Sequence, residues 1–493
     1  MSEALDKNGG LALQTGHAMI WKSLGLFGSK GLFLVRTLVL AAILVPDDFG
    51  LLAIALVGVD VLTRITDLGF TQALIQREHV VDKHYDTTWT VNILRATLVG
   101  FVLIAMAPLI AQLFNEPRAE FLIQLVALRP LLLEAASIRI VEKQRVLNFQ
   151  AVTLLKLVEA AVNTTIAIIF ATQYGVMAMI AGMLAGAVSY MVLSYFVAPW
   201  KPRLHLDRSV SIQLIAFGQW LFYIALISVI TGFLVRIFIT RELGTAALGL
   251  YYLALRLALL PVELAEEVVG SVTFSLYSRM QSGIDGLREA FRTILVIFLS
   301  LLVPVSVLLI VLAPAIINSL LGEKWQGTES LVQYFAIAGL IGILGEAVVP
   351  LLKGIGRAMH VFITELLQSL TLIAGTWVFI HYMGVEGAAF AWIPAAGTSL
   401  LAILYFLYHT VSQPFSKLWF PIAMIAGVAA GSAILSSLIV HRITGITGLV
   451  IALVAAFAFV MVSYFIIDKK GIIGFSDVIS RIYRGRRARQ PAH

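Results

Sequence analysis

Nine basic side chains lie inside stretches apolar enough to cross a membrane: Lys22, Lys30, Arg36, Arg64, Arg95, Arg129, Lys156, Arg236 and Arg256. A Lys or Arg at the bilayer centre costs at least ~2.5–3.5 kcal/mol on insertion scales, so each needs a wet cavity or a partner. At 100° per residue, Lys30 lies about 80° and Arg36 about −40° from Lys22, which places all three in one sector of the first span. Asp60, Arg64 and Asp67 make a narrow polar stripe on the second span, and Arg256, Glu263 and Glu267 repeat that stripe on the eighth. A common destination for these stripes is a hydrated cavity. With most of its cations supplied by the N-terminal half, such a cavity is positive and draws an anion strongly, because little water screens it. Phosphate and pyrophosphate suit it, since both Arg and Lys bind phosphate oxygens.

Lys22, Lys30, Arg36, Arg64, Arg95, Arg129 and Arg256 are therefore the expected binding residues. Asp60, Asp67, Glu263, Glu267 and Glu346 are the candidates for gating or coupling. Plainer readings stand beside these. Asp60 and Arg64 sit at i and i+4, a spacing that suits a purely structural ion pair. Lys22, Lys156 and Arg236 fall near membrane faces, where long side chains snorkel. Lys30 falls near mid-membrane with no carboxylate three or four positions away, so it is the strongest cavity candidate. Glu346 and Glu365 are isolated carboxylates in apolar surroundings, suited to proton coupling if buried; packing against a Ser, Thr or backbone partner accounts for them equally well. The histidines His17, His79, His84 and His360 fall at span edges as solvated loop residues. No cofactor or metal site is expected, and the absence of cysteine excludes disulfides and zinc–thiolate clusters.

The elements that position these residues follow from composition. The 493 residues are 60% hydrophobic and 13% charged, with mean hydropathy +0.94, whereas soluble domains carry about 25% charged residues. At ~20 residues per span, the apolar runs between residues 16 and 467 give fourteen spans. What remains holds no room for a nucleotide-driven motor or a large extramembrane catalytic domain, and no catalytic motif of a soluble enzyme class is present. The first span holds Lys22, Lys30 and Arg36, unlike the uncharged core of a cleavable signal, and is expected to stay in the mature protein. The expected fold is an all-α polytopic membrane protein.

The halves repeat. Asp48-Phe49-Gly50-Leu51 is echoed by Ala247-Leu248-Gly249-Leu250. Ala107-Pro108 ahead of Asn115-Glu116-Pro117 is echoed by Ala313-Pro314 ahead of Gly322-Glu323-Lys324-Trp325. Tyr174-Gly175-Val176 is echoed by Met383-Gly384-Val385. Each echo comes roughly 200 positions later, as in a parallel repeat of six spans related by an axis along the membrane normal. The expected organisation is an N-terminal lobe (1–200), a C-terminal lobe (209–410) with the cavity at their seam, two added spans (416–467) and a basic amphipathic cytoplasmic tail (468–493). One set of connections, with both tails, holds the basic clusters Arg139-Lys143-Arg145, Lys201-Arg203-Arg208, Arg279-Arg288-Arg292 and Lys469 to Arg489; the opposite set holds Arg118, Arg241, Lys324 and Arg442. That asymmetry places both termini in the cytoplasm. The tail, with Val478, Ile479, Ile482 and Tyr483 on one face and Arg484, Arg486, Arg487 and Arg489 following, suits an anionic inner leaflet.

Asp48-Phe49-Gly50-Leu51-Leu52, Asp67-Leu68-Gly69-Phe70 and Ala73-Leu74-Ile75-Gln76-Arg77 resemble the polysaccharide transporter family of the multidrug/oligosaccharidyl-lipid/polysaccharide flippase superfamily. So do Phe217-Gly218-Gln219-Trp220, Leu243-Gly244 to Leu250-Tyr251 with Arg256 and Pro261, Gly322-Glu323-Lys324-Trp325, and Leu351-Leu352 to Gly356-Arg357. The similarity covers roughly residues 15 to 470 and is strongest for the branch of colanic-acid-type exporters; Phe274-Ser275 departs from the Phe-Pro frequent in relatives. The resemblance implies a flippase, not an enzyme, that carries undecaprenyl-pyrophosphate-linked oligosaccharide across the bacterial cytoplasmic membrane by alternating access. It implies membrane lipid, a polymerase and export machinery as partners, and no nucleic acid. A multidrug or lipid II type exporter of the same superfamily is the alternative, and a membrane glycan polymerase or ligase a further one.

Overall fold

A computed structural model describes residues 2–66, 71, 74–75, 80–146, 148–205, 219–279, 284–410, 415 and 418–469. Asp67, the side chain of Glu267 and the basic tail beyond Lys469 lie outside the described residues. The chain is helical throughout its described elements: α1 (Ser2–Ile43), α2 (Pro46–Thr66), α3 (Asp82–Leu113), α4 (Ala119–Val126), α5 (Leu128–Glu134), α6 (Ile140–Arg145), α7 (Phe149–Tyr174), α8 (Val176–Val197) and α9 (Gln219–Leu243). Then follow α10 (Thr245–Arg279), α11 (Ile284–Leu320), α12 (Thr328–Gly354), α13 (Ala358–Met383), α14 (Val385–Phe390), α15 (Trp392–Tyr408), α16 (Trp419–Arg442) and α17 (Gly445–Lys469). Helix is what lipid permits, since within hydrocarbon each backbone donor must find its acceptor inside its own segment. Among the described residues, thirteen helices are long and apolar enough to cross a bilayer.

Residues 119–140, apolar enough to read as one of the fourteen spans, are instead two shorter helices, α4 and α5, which meet at Ala127. Pro130 explains the break: it has no N–H to offer Val126, four residues back, so the ladder loses a rung there. Pro394 does the same between α14 and α15, which meet at Ala391. Beyond α5 the chain leaves the helix, and α8 takes up the freed polar groups. Ser137 N–H donates to Ser194 Oγ at 2.8 Å, Ser137 Oγ to the Ala198 carbonyl at 2.7 Å, and Tyr195 OH to the Ala135 carbonyl at 2.8 Å.

Two compact units divide the chain, Met1–Leu253 and Ala254–His493, with the boundary inside α10. In the first unit, α7 packs against both α1 and α8, while α2 packs against α4 and α9. In the second, α11 packs against α12 and α16, α15 against α12 and α13, and α16 against α17. Large apolar side chains that stay exposed, among them Phe101, Phe196, Leu401, Trp419, Val454 and Phe457, are what a lipid-facing surface requires. Each unit also has a sharp helix-to-helix corner on a glycine: Gly175 (φ 53°, ψ −130°) before α8 and Gly384 (φ 60°, ψ −138°) before α14. Both lie in the left-handed half of backbone space, which glycine enters without strain.

Close packing of α7 on α8 rests on Gly182 and Gly186. A Cβ added at Gly182 would stand 2.6 Å from the Asn163 carbonyl oxygen, and one at Gly186 would stand 2.9 Å from that of Glu159. Four residues apart on one face, these glycines let the two backbones touch, as small residues do between membrane helices. Replacing Gly186→Leu forces the helices apart at an overpacking cost of about 1–3 kcal/mol. The expected result is a lower midpoint for thermal loss of the monodisperse peak of detergent-solubilised protein.

Candidate functional site

Helix α1 divides its three cations between two faces. Trp21, Gly25 and Gly28 form the face against α7. The Trp21 carbonyl accepts from Thr153 Oγ1 at 2.9 Å, and Cβ atoms at Gly25 and Gly28 would crowd Thr153 and Leu157. Arg36 shares that face: it is buried, donates from Nη1 to Asn163 Oδ1 at 2.8 Å, and lies over the Phe33 ring at 5.5 Å. Lys22 is exposed and Lys30 half-buried on the remaining circumference. On α2, Asp60 is half-buried and Arg64 exposed.

Arg95 and Arg129 have carboxylate partners within the first unit. Arg95 Nη2 on α3 meets Glu134 Oε1 on α5 at 2.5 Å, and Arg129 on α5 faces Glu159 on α7 at 3.8 Å. Lys156 and Tyr190 add further polar groups around Glu159. The result is a ladder of opposite charges threaded between α3, α5, α7 and α8. Arg95 and Arg129 are each offset by a nearby carboxylate, whose attraction repays part of the desolvation penalty.

In the second unit, Arg256 Nη1 lies 3.9 Å from Glu263 Oε1, two turns along the same face of α10, with about a third of each side chain exposed. Glu346 on α12 faces Glu266 of α10, with Lys353 close by. Glu365 on α13 lies near the same Lys353. Glu266, beside the expected Glu267 on α10, was not singled out from the sequence.

A polar knot that sequence reading did not collect closes one end of the first unit. Arg118, between α3 and α4, binds Glu116 through Nε–Oε1 and Nη2–Oε2, both at 2.7 Å, and Asp47 at the start of α2 at 2.8 Å. Glu116 is buried and also accepts from Thr245 Oγ1 at 2.6 Å, at the start of α10. The Arg118 guanidinium, aided by the Thr245 hydroxyl, outweighs burial and holds the Glu116 carboxyl below its usual value. Alongside, Asp48 Oδ1 accepts from Val176 N–H at 3.1 Å, Arg241 Nε donates to the Leu113 carbonyl at 2.7 Å, and Phe114 meets Phe233 edge-on.

Two apolar hollows complete the survey. One of about 250 Å³ lies between α2, α3 and α9, lined by Gly58, Leu62, Leu103, Met106 and Phe233. The other, about 500 Å³, runs between α11 and α17 past Pro304, Leu308, Phe457 and Met461 to Tyr464, whose hydroxyl donates to the Ser300 carbonyl at 2.8 Å.

The chain matches a family described as polysaccharide biosynthesis protein over residues 39–330. It is similar to the succinoglycan biosynthesis transport protein of Rhizobium meliloti, 24% identical over 404 residues that cover 80% of this chain and 81% of that one. Similarity to a lipopolysaccharide biosynthesis protein of Escherichia coli is 23% over 363 residues, 72% of this chain and 74% of the other. In fold it resembles a lipid II flippase in an inward closed conformation, with a TM-score of 0.72 at 15% identity, covering 92% of this chain and all of that one. It also resembles an inward-facing multidrug exporter, with a TM-score of 0.61 at 16% identity, covering 80% and 98%.

The ladder makes a direct prediction. Glu134→Gln leaves Arg95 short of its carboxylate and should lower thermal stability by up to about 3–5 kcal/mol, the scale for breaking a buried pair. Adding Arg95→Gln should recover most of that loss. A double-mutant cycle on the unfolding midpoint reads the coupling; additive losses would mean that the pair contributes nothing.

Proposed function

Because the chain belongs to the polysaccharide biosynthesis protein family, we propose that this multi-pass membrane transporter is a flippase for undecaprenyl-pyrophosphate-linked oligosaccharide units. The observation that carries the reading is the surplus of basic residues inside its spans, led by Lys30, half-buried on α1. A pyrophosphate headgroup must shed water to cross a bilayer, and a row of cations replaces that hydration with charge-assisted hydrogen bonds. Lys22, Lys30 and Arg64 are the proposed first contacts for the headgroup, with Arg256 a later one. Arg36, Arg95 and Arg129 set the field around them. The apolar hollow beside Phe457 and Met461 has the chemistry to take part of a polyprenyl tail.

Alternating access by the two six-span repeats, 1–200 and 209–410, is the proposed mode, with 416–467 as an addition outside the duplication. Asp60, Glu263 and Glu346 are the proposed coupling groups. The bacterial cytoplasmic membrane is the proposed site, with both termini inside by the distribution of basic loops. Lipid-linked glycan reaching the outer face would pass to a polymerase and export machinery. The relatives named as transport or biosynthesis proteins for succinoglycan and lipopolysaccharide support this class of cargo.

Cells carrying Lys30→Ala or Arg64→Ala should accumulate lipid-linked oligosaccharide on the inner leaflet and lose surface polysaccharide, by about tenfold if each cation contributes one charge-assisted bond. Normal export at normal protein level in both variants would reject the site. Flux of organic cations by the purified protein would favour a multidrug exporter instead.

A further inference from the structure

The knot at the start of α2 joins segments distant in sequence, and its bonds divide into two kinds. Arg118 grips Glu116 and Asp47, and all three belong to the stretch from α2 to α4. What reaches the start of α10 is uncharged on the α10 side: the Thr245 hydroxyl on Glu116. The α9 end is held alongside by Arg241 on a backbone carbonyl. Removing one partner of a buried ion pair strands a charge, whereas releasing a hydroxyl does not. Glu116 would keep both of its Arg118 bonds after Thr245 left, so parting here leaves no unpaired carboxylate.

The backbone tells the same story. The two echoing motifs, Asp48-Phe49-Gly50 and Ala247-Leu248-Gly249, meet at this end. A Cβ on Gly50 would stand 2.0 Å from the Thr245 carbonyl oxygen, and one on Gly249 would stand 1.8 Å from that of Pro46. Here α2 and α10 approach backbone to backbone, and the Thr245 γ2 methyl also packs on Gly50, 2.8 Å from where a Cβ would stand. Small residues are what let two membrane helices approach this closely.

Building on the flippase reading, we propose that Glu116 and Arg118 form a clasp for the start of α10, and that the transport cycle opens and recloses it with Thr245 as the releasable hook. Arg118 is the preorganising member: by holding both carboxylates it keeps Glu116 ionised and aimed at Thr245 whether the hook is in or out. By the charge distribution of the loops, this clasp lies at the outer face.

The chain has no cysteine, so a single introduced thiol reports without background. In sealed proteoliposomes, the thiol of Thr245→Cys, at a buried position, should react slowly with a membrane-impermeant maleimide. Adding Glu116→Gln or Arg118→Gln should speed that reaction about tenfold, the scale of one hydrogen bond to a charged group. Unchanged reactivity in both would overturn the clasp. In a second arm, Glu116→Cys and Thr245→Cys are bridged by a short reducible thiol reagent; flipping of lipid-linked glycan should stop and then return on reduction. Flipping at the unbridged rate would overturn the proposed opening. Should the unsubstituted, cysteine-free protein move no lipid-linked glycan at all, the flippase reading fails, and thiol reactivity alone then decides the clasp.

Discussion

Charge in hydrocarbon is the constraint on which the rest of this protein depends. An unpaired guanidinium or ammonium among lipid tails is so unfavourable that each intramembrane cation must be matched, hydrated or put to use. The first unit shows the matching directly. Arg95 meets Glu134, Arg129 faces Glu159, and Arg36 rests on Asn163 and Phe33. These contacts tie α3, α5 and α7 together and so serve architecture as well as electrostatics. Lys22 and Arg64 are exposed and Lys30 is half-buried, whereas Arg36 is buried.

The same economy governs the backbone. Helices must close their own hydrogen bonds in lipid, so departures from helix occur where a neighbour can receive the freed groups. Where α5 ends, Ser194, the Ala198 carbonyl and Tyr195 receive Ser137 and the Ala135 carbonyl. At the corner before α8, the carboxylate of Asp48 accepts the Val176 N–H. Glycine supplies the close approaches, at Gly182 and Gly186 inside a unit and at Gly50 and Gly249 where the starts of α2 and α10 meet. Close approach through glycine combines tight packing with little side-chain entanglement, and a transporter needs both.

Transport function sits naturally on such a frame. A flippase has to offer a polar, cation-lined path to a headgroup while leaving the lipid tail among apolar surfaces. Charge pairs that stay closed give the helices a fixed form. Weaker contacts, such as a hydroxyl on a carboxylate already neutralised by arginine, are the ones a cycle can break without exposing a buried ion.

Composition and periodicity by themselves determined the class: apolar runs at regular spacing leave only helices across a membrane. Gly175 and Gly384 stand in the echoed motifs for the same reason, since that echo is local chemistry, whereas the break at Pro130 was not expected. Nor was partner choice. Glu134 stands 39 positions from Arg95, and Thr245 stands 129 from Glu116, distances over which spacing carries no information. Arg36 was expected with Lys22 and Lys30 from angle alone, but the glycine face of α1 draws it toward α7 and Asn163. Glu266 of α10 meets Glu346 of α12, a pairing between helices that spacing along one of them does not specify. Only tertiary packing decides which charges neutralise one another and which remain to act, because it brings side chains to within a few ångströms from opposite ends of the chain.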